Sequence, residues 1–217
     1  AGVRKSWGRD FAIYTVNNIE ATQILLEAVS AARGIERLVY ASSSSVYGDL
    51  VEMPMREDAL PQPVSPYGVT KLACEQLADA YVREFGLDCV ILRYFNAFGP
   101  RQRPDMAFTR IAFALRDGHP FTLYGDGEQS RGWTYVSDVV DATVLAMQGG
   151  AGTYNVGGAI EASMNETIAL FEEIVAVQPE FVEVSVAFER SQPPDADERV
   201  AVAAVFETLA LWLQVSV

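Results

Sequence analysis

Tyr67 and Lys71 stand four residues apart in Ser65-Pro66-Tyr67-Gly68-Val69-Thr70-Lys71, a spacing that puts them on one face of a helix. Ser65 suits the N-cap and Pro66 the first helical position. An ammonium beside a phenol favours the phenolate, and a helix N-terminus acts in the same direction. Tyr67 is therefore a candidate general base for a hydroxyl proton. The alternative is a surface tyrosine and lysine that merely share helical spacing. With nine tyrosines and two lysines, Lys5 and Lys71, in 217 residues, chance supplies a Tyr-x-x-x-Lys roughly 0.08 times, so the pair is informative.

Other chemistries lack their parts. The single histidine, His119, and the two cysteines, Cys74 and Cys89, provide neither a metal-ligand set nor a Ser-His-Asp triad. Without C-x-x-C spacing the cysteines read as buried thiols, with one bridge as the alternative. A formal charge of −13 leaves no cationic field for nucleic acid or an anionic membrane. No apolar run reaches the ~20 residues that span a bilayer, and no signal peptide opens the chain. The expected location is cytoplasmic.

The elements that must position Tyr67 and Lys71 follow from periodicity. Ile19, Leu25, Leu26 and Val29 recur at helical spacing over residues 17–33, before Gly34. Residues 38–41 form a short apolar run that meets Ser42, Ser43, Ser44 and Ser45. A second helix is expected over 66–85 with Gly86 as its stop, and a second buried strand over 89–95. Alternating helices and near-continuous apolar strands mark a parallel sheet covered on both faces. In such sheets ligands sit beyond the carboxyl ends of the strands, here at 42–45 and 94–96. Past Gly99 the elements shorten. Helices are expected over 108–116 and 138–147, the latter capped by Ser137, and strands over 121–124 and 153–156. Ser163 with Glu166 forms a capping box that opens a helix to about residue 177.

Tyr67-x-x-x-Lys71, preceded by Ser-Pro and by Ser42-Ser43-Ser44-Ser45-Val46-Tyr47-Gly48, resembles the catalytic core of the extended short-chain dehydrogenase/reductases of the NAD-dependent epimerase/dehydratase family. Further matches follow in family order: Asn17-Asn18, Arg93-Tyr94-Phe95-Asn96, Gly99 to Pro104, Tyr124 to Gly127, Arg131, and Tyr154 to Gly158. The resemblance covers roughly residues 1–175. It implies an α/β fold: a partial Rossmann-type parallel sheet lacking its N-terminal strands, with a smaller mixed α/β substrate domain. The expected division is 1–107 for the NAD-binding part and 108–217 mainly for nucleotide-sugar binding.

The resemblance also implies roles. Ser43 would hydrogen-bond the sugar O4, Tyr67 act as base, and Lys71 assist it while holding the nicotinamide ribose. Asn18, Ser42 and Tyr94 would line the NAD site with Tyr67 and Lys71. Asn96, Arg103 and Arg131 would join Ser43 in binding a UDP-sugar, Arg131 as a guanidinium fork on phosphate oxygens. No metal is implied, and the complete enzyme is expected to be a homodimer. Similar 4,6-dehydratases carry Asp and Glu at the positions of Ser44 and Ser45, and similar decarboxylases usually keep the Glu. With serine at both, the expected reaction is 4-epimerisation of UDP-glucose and UDP-galactose through a 4-keto sugar. Asn96 resembles enzymes of neutral UDP-hexoses, whereas residues 101–107 resemble UDP-glucuronate 4-epimerases.

Departures from the family keep alternatives open. Its Gly-rich phosphate turn and ribose-binding acid would lie upstream of Ala1, so the chain is expected to hold NAD weakly by itself. Gln192 and Pro194 stand in 188–195 where relatives carry an arginine and a glycine, Gly132 stands where they usually have aspartate, and the tail from about 190 is atypical. UDP-glucuronate epimerisation, dehydration or decarboxylation, and a non-catalytic fragment remain as the other readings.

Overall fold

The computed structural model describes residues 3, 5–32, 34–49, 54–158 and 161–177, the side chains of 175–177 excepted. The segment 188–195 and the tail lie outside the described residues. Contacts divide the chain into two compact units, Ala1–Phe95 with Ser137–Val156, and Asn96–Val136 with Gly157–Val217.

The first unit is built on a three-stranded parallel sheet in the order β1-β2-β5, from β1 (Leu38–Ser43), β2 (Cys89–Tyr94) and β5 (Gly152–Val156). Two-residue alternation explains the unbroken apolar run of β2. Cys89 and Ile91 pack with Leu26, Ala78 and Tyr81, whereas Val90 and Leu92 pack with Ala146 and Val156. Both faces are thus covered by helix, as the sequence pattern demands. One layer contains α1 (Phe11–Tyr14), a π-helical segment Thr15–Glu20, α2 (Ala21–Ala31) and α3 (Pro66–Phe85). The other contains α5, Val136–Gln148.

Local signals set the ends of α3. Ser65 is extended and its Oγ accepts from the Gly68 N–H at 3.1 Å, and Pro66 occupies the first turn. Gly86 takes φ 66°, the left-handed conformation that stops a helix at little steric cost to glycine. Helicity before β1 begins earlier than the expected residue 17, as a 3-10 turn at Gly8–Asp10 that runs into α1 at Phe11, and it passes through the π segment before ending at Ala31.

The second unit holds β3 (Asn96–Phe98), β4 (Ser130–Tyr135) and β6 (Glu161–Ser163), with β3 parallel and β6 antiparallel to β4. Its core joins Phe98 to Phe108, Ile111, Ala112 and Leu115 of α4 (Ala107–Asp117) and to Ile168 and Phe171 of α6 (Met164–Val177). Aromatic rings fill it, with Phe108 lying 4.5 Å from Trp133 and 5.5 Å edge-on from Phe171. The capping box forms reciprocally. Ser163 N–H donates to Glu166 Oε2 at 2.7 Å and Glu166 N–H to Ser163 Oγ at 3.1 Å.

Two expectations need correction. Residues 121–124 are not a strand: Phe121 and Leu123 pack against the core at strand-like alternation, but among the described residues no neighbouring strand supplies the hydrogen-bond ladder. Ser137 does not cap α5, which starts directly from β4 at Val136 and leaves Ser137 within its first turn. Strands β3, β4 and β6 have no clear sequence signature, because two have three residues and the third contains Arg131 and Gly132.

Cys74 and Cys89 are buried free thiols. Burial, with Asp79 and Asp88 adding to it, pushes the Cys89 thiol up to about 11. Iodoacetamide at pH 8 is expected to leave both cysteines unmodified in the native protein and to label both in denaturant. Mass spectrometry of intact protein checks this, and rapid native labelling of Cys89 would contradict it.

Candidate active site

The C-terminal end of β1 turns directly into a 3-10 segment, Ser44–Val46. Ser43 is extended and serves as its cap: its Oγ accepts from Ser45 N–H at 3.2 Å and lies 3.2 Å from Ser45 Oγ. The N-terminal turn of α3 packs against this serine turn. A Cβ on Gly68 would overlap the Ser45 carbonyl oxygen and sit 2.9 Å from Pro63 Cβ, so the residue after Tyr67 must lack a side chain for the helix to come this close.

Lys71 reaches back to the strand. Its Nζ donates to the Ala41 carbonyl at 2.8 Å, stands 3.4 Å from Tyr40 Oη, and lies 5.1 Å from the Tyr40 ring centroid. Burial lowers the Lys71 pKa, opposed by the neighbouring Cys74 and Glu75. Tyr40 is pushed the other way, its hydroxyl held protonated by burial and by the contact with Cys74. Asn18, in the π segment, donates from Nδ2 to Thr70 Oγ1 at 2.9 Å, and Thr70 Oγ1 donates to the Tyr67 carbonyl at 2.8 Å. Tyr14 meets Tyr67 edge-on, with centroids 6.1 Å apart. A π turn at such a place is a common companion of function, because it reaims side chains out of helical register.

The structure therefore gathers Ser43, Tyr67, Lys71 and Asn18 around the junction of β1 and α3. Ser42 and Tyr94 are engaged elsewhere in the same unit. Strand alternation turns Ser42 to the α3 face, where its buried hydroxyl donates to Glu75 Oε1. Tyr94, the register partner of Ser43, points to the opposite helix and shares a 2.7 Å hydrogen bond with Thr143 Oγ1. Asn96, Arg103 and Arg131 belong to the second unit. Asn96 sits in β3 opposite Trp133. Arg103 pairs with Asp105 at 3.2 Å, and Arg131 donates from Nη1 to the Ser130 carbonyl at 2.8 Å.

The sequence expectations gave no role to one group of residues, of which Glu75 was not named and Arg93, Tyr47 and Asn155 were quoted only as motif matches. Glu75 and Arg93 are 2% and 5% exposed and form an ion pair of 2.7 Å. Arg93 Nη1 also donates to Tyr47 Oη at 2.7 Å and to the Glu57 carbonyl at 3.2 Å. Tyr47 Oη donates to Asn155 Oδ1 at 2.7 Å, and Asn155 Nδ2 donates to the Met55 carbonyl at 2.9 Å. For Arg93, desolvation works against the charge, but hydrogen bonds to Glu75 and Tyr47 outweigh it and raise the pKa. Two signals pointed here: Arg93 is the one charge in the apolar run 89–95, and Glu75 continues the Tyr67, Lys71 face by another four residues. A charge in a strand buried on both faces requires a partner.

Among the described residues, no group of three or more His, Cys, Asp or Glu is placed to hold a metal ion, and no helix is long and apolar enough to cross a membrane.

Residues 1–157 match the model of the NAD dependent epimerase/dehydratase family. The chain is 47% identical over 176 residues to the Uncharacterized UDP-glucose epimerase YtcB of Bacillus subtilis, a match covering 80% of this chain and 55% of that protein. It is 35% identical over 178 residues to the UDP-glucuronate 4-epimerase of Thermodesulfobacterium geofontis, covering 81% and 54%. Among solved structures it resembles the UDP-glucuronic acid 4-epimerase of Bacillus cereus in complex with UDP-glucuronic acid and NAD. That likeness has 37% identity and a TM-score of 0.77, covering 96% of this chain and 67% of that one. The chain spans about half the length of these curated relatives.

The buried pair makes a stability prediction. Glu75→Leu leaves a guanidinium buried beside an apolar side chain and is expected to cost about 3–5 kcal/mol, whereas adding Arg93→Met should recover most of that loss. Urea denaturation of the single and double variants measures both, and a double variant no more stable than the single would contradict the pairing.

Proposed function

Because the chain belongs to the NAD dependent epimerase/dehydratase family, we propose that it carries the proton-transfer site of an NAD-dependent UDP-sugar 4-epimerase, with UDP-glucose and UDP-galactose as its substrates. The observation that carries this reading is the junction of β1 and α3, where Ser43 ends the strand and Tyr67 and Lys71 share the first turns of the helix packed on it.

The donor set suits the ribose and nicotinamide part of a dinucleotide. It lies at the carboxyl end of a parallel strand, where such ligands bind, and it offers the Lys71 ammonium, held by a carbonyl and a neutral phenol, beside Tyr67 and Asn18. NAD bound there would supply reversible hydride acceptance at C4 of the sugar. Tyr67, as base, takes the proton from the sugar O4 as the alcohol becomes a ketone and returns it when the alcohol reforms. The Lys71 charge favours the phenolate form of Tyr67, as does the N-terminus of α3. Ser43 orients O4 through its hydroxyl. For 4-epimerisation the 4-keto sugar would have to present its opposite face before the alcohol reforms.

Serine at 44 and 45 supports epimerisation over elimination, since removing water from the sugar needs a further acid and base that these positions do not offer. Asn96, Arg103 and Arg131 of the second unit are the proposed diphosphate and sugar contacts, and a homodimer is the proposed assembly. UDP-glucuronate is the second reading, favoured by the Thermodesulfobacterium and Bacillus cereus relatives and by Arg101 to Ala107.

With NAD bound, Tyr67→Phe is expected to lower kcat about 10²–10⁴-fold with nearly unchanged affinity for the nucleotide sugar. Steady-state kinetics with isothermal titration measures both, and near-normal turnover would remove Tyr67 from the mechanism. Product analysis on UDP-glucose and UDP-glucuronate should show interconversion at C4 with a higher kcat/KM for the neutral sugar. A buried carboxylate without partners in the pocket is penalised by a few kcal/mol, roughly a hundredfold. A tenfold or greater preference for UDP-glucuronate selects the second reading, and a 4-keto-6-deoxy or decarboxylated product excludes both.

A further inference from the structure

Lys71 is a half-buried cation whose nearest partners on the strand side are neutral. The Ala41 carbonyl takes one N–H at 2.8 Å, and the Tyr40 side chain supplies the other surface: ring centroid at 5.1 Å, hydroxyl at 3.4 Å. Tyr40 itself is anchored. It lies on β1 in the layer that packs with Leu26, Ala78 and Ile91, and its hydroxyl faces Thr22 of α2 and Cys74 of α3. A lysine on a flexible four-carbon stem has many rotamers, so a fixed aromatic face beside a fixed carbonyl restricts where its ammonium can stand. The quadrupole of a phenol ring also favours the charged amine over the neutral one.

We propose that Tyr40 is a positioning residue for Lys71, its ring and hydroxyl holding the ammonium charged and in place at the end of β1, one helical turn from Tyr67. Burial works against that charge. The other ionisable groups around it are Tyr67, Cys74 and Glu75 on α3, with Arg93 of β2 behind Glu75 and Tyr14 of α1 edge-on to Tyr67. Cys74 and Glu75 oppose burial and favour the charged amine, Glu75 while it is itself paired with Arg93 at 2.7 Å. Tyr40 adds to them by direct contact, its ring centroid 5.1 Å and its hydroxyl 3.4 Å from Nζ.

The consequence for catalysis rests on the proposed function, but the test does not require turnover. Only Lys5 and Lys71 are present, so protein labelled with 15N and 13C in lysine gives two side-chain signals, and the Cε and Nζ shifts of Lys71 can be titrated directly with Lys5 as internal reference. Tyr40→Phe, which keeps the ring, should lower the Lys71 midpoint by a few tenths of a pH unit. Tyr40→Leu, which removes ring and hydroxyl, should lower it by about one unit. The order wild type, Phe, Leu supports the proposal, and an unchanged Lys71 midpoint in both variants overturns it. If circular dichroism shows that the Leu variant does not fold, the Phe variant decides alone, a drop supporting the role and no drop overturning it. An unshifted midpoint leaves the epimerase reading untouched, while a protein whose Lys71 titrates in the expected order but yields no 4-epimer overturns that reading alone.

Discussion

In the interior of the first unit a carboxylate and a guanidinium meet with almost no water in reach, and much of the local architecture is arranged to make that meeting tolerable. Removing two such ions from water costs several kcal/mol each. The offset comes from geometry: Arg93 binds Glu75 through two nitrogens and gives its remaining donor to Tyr47 and the Glu57 carbonyl. Ser42 completes the carboxylate, and Asn155 receives the proton of Tyr47. Five side chains from β1, the segment after it, α3, β2 and β5 thereby share one network. Slipping any strand by one residue would turn its member to the wrong face, so the network disfavours slipped registers.

That network lies next to the proposed chemistry. Ser42 precedes Ser43, and Glu75 follows Lys71 by one turn on the same helix face. Fixing Ser42 to Glu75 therefore fixes the strand end that carries Ser43 against the helix that carries Tyr67 and Lys71. Gly68 allows the approach to be close, and Asn18 through Thr70 ties the π segment to the same turn. The groups proposed to move a proton are held by packing and by hydrogen bonds within the protein, which is how a site keeps its geometry within about half an ångström.

The second unit relies on a different material. Its core is aromatic and its strands are short, so close backbone contacts do the positioning. A Cβ on Gly158 would overlap the Trp133 carbonyl, and Gly158 N–H donates to Thr134 Oγ1 at 2.8 Å. Asn165 at the start of α6 holds the turn before β4 by donating to the Asp126 carbonyl at 3.0 Å and Glu128 at 2.7 Å. These contacts define the strand on which Arg131 is presented.

Much of this protein could be read from its residues in order. Periodicity and caps located α3 between Pro66 and Gly86, the two first strands, the helix in the second unit opened by Ser163 and Glu166, and the Tyr67, Lys71 pair, because each of these depends on neighbours a few residues away. Ordered motifs pointed to the family that residues 1–157 match. What depends on distant partners was not legible. The run 121–124 alternates like a strand but finds no ladder, and three residues such as Asn96–Phe98 become one only because β4 lies alongside. Gly152–Val156 reads as part of the later, smaller elements, yet it pairs with β2 and returns to the first sheet. The side of a strand on which a hydroxyl falls is equally a tertiary matter: Ser42 and Ser43 are chemically identical neighbours, and only the sheet, with Glu75 on one face of it, turns one into a structural bond and leaves the other to cap the turn after β1.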